Sequence, residues 1–137
     1  MNKLFSIALI IGTLGFSTVT LAHQHGTHNT GEIEDQTELL MKKMKKAFRA
    51  AQNSDNLAEL GSAATTLTQL AEQASQLDYG LNMDEKTKYK DGMQQLKTDL
   101  QQLNAAIAAK DFASAKQLVD QQINATRKQS HKALDVN

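Results

Sequence analysis

The chain has 137 residues, no cysteine and no proline, and fifteen basic side chains balanced by fifteen acidic ones. That length suits one domain, and the missing thiols exclude disulfides and thiolate metal sites. A balanced charge gives no electrostatic case for nucleic acid. Aromatics make up only 4%, while Ala, Leu, Gln and Lys dominate, a composition tolerant of helix.

Residues 1–22 read as a signal peptide. Lys3 supplies the charged start, Leu4 to Phe16 the apolar core, and Val19 and Ala22 the small residues before a cut. Gly12, Thr13, Gly15 and Ser17 interrupt the apolar run, which argues against a retained membrane span. The expected compartment is the periplasm, with no membrane attachment. Residues 23–31 form a polar arm with His23, His25, His28 and two glycines but no apolar period, as expected of a flexible segment. If cleavage follows Ala22, the new amino terminus and the third-position His25 make a square-planar donor set for Cu(II) or Ni(II), with His23 as the terminal residue. The plainer reading of the arm is a disordered polar leader, with adventitious or weak metal binding, and then a dedicated metal function, as the other readings.

Residues 32–137 read as four amphipathic helices. Helix 1, from about Ile33 to Gln52, has the apolar seam Thr37, Met41, Met44, Phe48 and Ala51, with Lys42, Lys45, Lys46 and Arg49 opposite. That basic row reads as a solvated face, with docking to an acidic partner as the other reading. Asn53 to Asn56 breaks the pattern, and Asn56 with Glu59 forms a capping box. Helix 2 runs to about Leu77 on Leu57, Leu60, Ala64, Leu67, Leu70, Ala71 and Ala74. A turn follows, with Asp84 expected to cap helix 3, whose seam is Tyr89, Met93, Leu96, Leu100, Leu103 and Ile107. Helix 4 carries Phe112, Ala115, Val119, Ile123, Arg127 and His131. Short links between helices of this length predict an all-α, antiparallel up-down-up-down four-helix bundle. A monomer is expected, although Leu40 and Leu118 read as exposed and leave room for a dimer.

His131 is the only histidine in the helical body. In an up-down bundle the start of helix 1 and the end of helix 4 share one end, so Met41 and His131 are placed to meet. An imidazole and a thioether on opposite faces make an axial pair for haem iron, a ligation that raises the potential and suits electron transfer. Without cysteine, any haem is held noncovalently. Met44, Phe48, Tyr89 and Met93 offer apolar, polarisable lining, and Arg127 lies one turn before His131. The plainer alternatives are methionines that fill the core and a histidine that complements a helix end. Met44, on the same seam as Met41, competes for the ligand position. No serine elbow, phosphate-binding loop or carboxylate–histidine cluster is present, so no enzyme activity is expected. The alternative function is a haem-free helical bundle that binds metal through the histidine arm, or a protein partner.

The segment Met41 to Phe48, the Asp55-Asn56 turn, the run Tyr89-Lys90-Asp91-Gly92-Met93 and the terminal Arg127-x-x-x-His131 together resemble the soluble cytochrome b562 family. The resemblance spans about residues 33 to 135 and rests on the order and spacing of these segments. That family is itself a standard example of the up-down bundle, so the resemblance implies the architecture as well. It also implies a b-type haem between Met41 and His131, with Arg127 beside it and Gly92-Met93 against the macrocycle. Anchoring on Asp55-Asn56 favours Met41 over Met44. The implied role is single-electron transfer with redox partner proteins. The link between helices 2 and 3 departs from the family pattern in lacking proline.

Overall fold

The computed structural model describes residues 30–77 and 81–134, and the signal segment, His23, His25 and His28 lie outside them. The chain forms helices α1 (Thr30–Gln52), α2 (Leu57–Gln76) and α3 (Met83–Ala108) and a fourth helical column. That column has three parts: α4 (Phe112–Gln117), a π-helical turn (Leu118–Ile123) and α5 (Asn124–Ala133). The four columns form the antiparallel bundle that the apolar periodicity predicts. Early residues of one helix meet late residues of the next. Tyr89 bonds to Ala74 and Asn104 to Thr68 between α2 and α3, while Gln122 and Thr126 both reach Asp99 from the fourth column.

Each turn is closed by local hydrogen bonds. The Asn56 side chain accepts from the Glu59 amide at 3.0 Å, and the Glu59 carboxylate accepts from the Asp55 amide at 3.0 Å. At α3 the cap is Asn82 rather than Asp84. Asn82 and Glu85 complete a capping box, each side chain accepting from the other's amide at 3.0 Å. Asp84 falls in the first turn instead, where a negative charge complements the helix dipole. Between α3 and α4, the Asp111 amide donates to Ala106 and the Lys110 amide to Ile107, the paired bonds of a Schellman ending. Lys110 adopts φ 59° there, in a position that usually selects glycine.

The largest fully buried side chains are Leu60, Leu100, Leu103, Val119, Ile123 and Asp99. All lie from the middle of the bundle toward the end that carries the 53–56 and 109–111 turns. Alanines 47 and 51 on α1 and 63, 64, 71 and 74 on α2 are buried in the core, and α1 packs closely along α2. Leu103→Ala, at a fully buried position, is expected to cost about 2–5 kcal/mol. Urea titration would show this as a lower midpoint at unchanged slope.

One expectation for α1 needs correction. Leu40 is not an exposed leucine; it is buried, as are Ala47, Phe48 and Ala51, and Met44 packs against the same core. The inner stripe of α1 is therefore centred near Leu40 and Met44, and Met41 moves to its flank. Leu118 is half-buried against the core as well. Among the described residues, the exposed large apolar side chains are Leu39 and Met83.

Candidate haem site between helices 1 and 5

Helix α1 packs along α2, α2 along α3, and α3 along every part of the fourth column. Close backbone approach between α1 and the fourth column centres on the π turn. At the closed end, the Lys116 ammonium donates to the Gln52 and Ala51 carbonyls at the end of α1. Beyond the π turn, the α1–α5 seam is bridged by side chains.

The bridging residues are those the sequence singled out. The Arg127 guanidinium lies 5.5 Å from the centre of the Phe48 ring, a cation–π contact across the seam. One terminal nitrogen of Arg127 donates to the Asn124 side chain at 3.2 Å. Its Nε is buried without a hydrogen-bond partner. Such an atom carries a desolvation cost of about 1–3 kcal/mol until an acceptor reaches it.

One turn further along, His131 is half-buried. Burial pushes its pKa below the ordinary 6.5, and the charges of Arg127 and Lys45 push the same way. At neutral pH the ring is therefore an uncharged imidazole with a lone pair to give. Lys45 is on α1, one turn after Met41, so the smaller part of the charge that reaches His131 comes from α1 and the larger from Arg127 on its own helix.

This shift has a defined consequence for stability. Between the folded pKa and the unfolded value of 6.5, the unfolded chain binds a proton that the folded chain does not. Stability therefore rises with pH through that window and levels off above it. An NMR titration of the His131 ring, paired with thermal midpoints across the same window, checks both the direction and the sign.

The remaining lining residues divide. Met41 and Met44 are half-buried and packed against the core, and Met93 is buried within it. Tyr89 also packs against the core, but its hydroxyl donates to the Ala74 carbonyl at 2.6 Å, which ties α3 to α2. Gly92 earns its place differently. A Cβ there would lie 2.5 Å from the Ser130 hydroxyl and 3.1 Å from the Ser130 Cβ, so the glycine permits α3 and α5 to close up beside His131.

Sequence reasoning missed Asn124, the Ser130 contact and the π turn. Only the last left a signal. Ala115, Val119, Ile123, Arg127 and His131 recur at strict intervals of four, whereas a seam on an α-helix of ~3.6 residues per turn must mix threes and fours. A run of fours drifts by about 40° per step in a regular helix, and a wider turn cancels part of that drift.

Can this seam take a flat, acidic, iron-bearing group? The donor types fit it: a neutral imidazole on α5, two half-buried thioethers on α1 and a buried N–H lacking an acceptor. The fold is an all-α four-helix bundle, and its seam carries the kinds of donor that a b-type haem would use. The sequence profile of the cytochrome b562 family matches residues 37–134, and the chain belongs to that family. Membership implies a b-type haem and the role of electron carrier. No curated protein matches the chain.

Proposed function

We propose that the protein is a periplasmic carrier of single electrons that holds one haem b noncovalently, with Met41 and His131 as axial ligands. The observation that carries this reading is His131, half-buried and held uncharged beside a guanidinium whose Nε lacks an acceptor. The flank position of Met41, on the same stripe as Lys45, supports it over Met44 as the second ligand.

Bound haem supplies an iron centre that changes oxidation state by one electron. The residues supply the rest. His131 would give a nitrogen lone pair, and Met41 a soft thioether of the kind that favours reduced iron and would raise the potential. Two protein ligands would leave no axial position for oxygen. Phe48, Met44 and Met93 present apolar surface that excludes water, and Arg127 Nε offers a hydrogen bond to an acidic edge group. The absence of cysteine excludes thioether attachment through C-x-x-C-H. Export by the segment 1–22 accounts for the proposed compartment.

The test is the visible spectrum of the exported protein, before and after dithionite. Sharp reduced bands of a low-spin b-type haem are expected. A protein that stays colourless after haem is added would overturn the reading.

A further inference from the structure

Asp99 is fully buried, and among the described residues no other acidic or basic side chain is buried to that degree. No cation faces it. Its Oδ1 accepts from Gln95 Nε2 at 2.9 Å and Gln122 Nε2 at 2.8 Å, and its Oδ2 accepts from Thr126 Oγ1. Gln122 is held a second time by the Gln102 side chain at 2.9 Å. Gln122 belongs to the π turn and Thr126 to the first turn of α5.

A π turn holds one residue more than an α-helix would over the same rise, and it rarely persists without outside contacts. Here it is pinned on both sides. Upstream, Lys116 is fixed to the carbonyls that end α1; at the other end, Gln122 inside the turn and Thr126 just after it are fixed to Asp99. The surplus residue has nowhere to go except the widened turn.

The turn sets the rotational phase of everything after it. With Thr126 held against Asp99, and Ser130 against Gly92 on α3, the next residue in each case faces α1. Those residues are Arg127 and His131. If the turn relaxed to regular α-helix, each would rotate by about 100° and leave the seam. Gly92 makes room for the observed phase but offers no attraction to hold it.

We propose that Asp99 is a positioning residue: its bonds to Gln122 and Thr126 hold the π turn in the phase that presents Arg127 and His131 to helix α1. The haem half of the test rests on the ligand reading of His131; the phase claim itself does not. Two readouts separate them. One is the reduced spectrum of the haem-loaded protein. The other, in the haem-free protein, is the NMR contact between the Arg127 side chain and the Phe48 ring.

Asp99→Leu keeps much of the volume and removes both acceptors. The expected result is loss of the Arg127–Phe48 contact and of the low-spin bands while helicity is retained. Asp99→Asn keeps one acceptor, and Thr126 can reverse its hydroxyl, so a smaller loss is expected. Deleting the exposed Gln121 in the Asp99→Leu background removes the surplus residue, letting a regular helix reach the same phase; both signals are expected to return. If Asp99→Leu retains both signals and only lowers stability, Asp99 is structural and the proposal falls. Failure of the deletion to restore either signal would overturn it too. Should Asp99→Leu not fold, Asp99→Asn with and without the deletion decides on the same two signals. A wild-type protein without low-spin bands would remove the haem reading, and the Arg127–Phe48 series would still decide the phase claim.

Discussion

His131→Ala is expected to abolish stable haem binding. On the proposed ligation the imidazole is the only nitrogen ligand the described part of the chain offers to this seam, and its loss would remove a metal–ligand bond outright. Weakening beyond the roughly 10–100-fold that follows loss of a mere supporting partner is therefore expected. Fold should survive. His131 is half-buried near the end of α5 and contributes none of the large side chains of the core. Haem titration followed in the Soret region, with far-UV circular dichroism as the control, measures both. Retention of wild-type affinity with an unchanged reduced spectrum would remove His131 from the ligand set.

Met41→Ala should be milder in affinity and sharper in electronic effect. With His131 still present, iron would keep one protein ligand and lose the thioether that favours its reduced form. The expected signature is a change of spin state in the absorption spectrum and a fall in midpoint potential. Met44→Ala is the necessary comparison. Met44 points nearer the centre of the α1 inner stripe, so its truncation should act mainly through packing and leave the low-spin bands in place. The opposite pattern would transfer the ligand role to Met44.

The four-column architecture was legible because each helix buries one apolar stripe, and stripes at helical spacing can be read directly. Helix α3 shows this best: Met93, Leu100 and Leu103 stand on the expected seam and are buried. Caps were harder to read. Asn82 and Asp84 both satisfy the local preference, and only the geometry of the turn selects Asn82. On α1 the expected seam holds for Met41, Met44, Phe48 and Ala51, which lie in or against the core, but Leu40, adjacent to Met41 and equally apolar in sequence, joins them and shifts the stripe by less than one residue. That shift leaves Met41 at the flank of the stripe, the position on which its proposed ligand role relies.

In the seam itself, Phe48, Arg127 and His131 were found by residue type. What aligns them was not, because Asp99 reads in sequence as one of many charges on a solvated face. Its burial exists only once the fourth column folds against α3, and no local pattern encodes a contact between residues 27 positions apart.

The unequal distribution of fully buried side chains along the axis has a kinetic meaning. Amides near Leu60, Leu103 and Val119 should exchange with solvent only through global unfolding, whereas those around His131 and the start of α1 can open in smaller, cheaper fluctuations. On the proposed reading that gradient would serve as an entrance: with one half holding its form while the other opens, a flat guest would enter by parting one seam rather than by waiting for the whole chain to come undone.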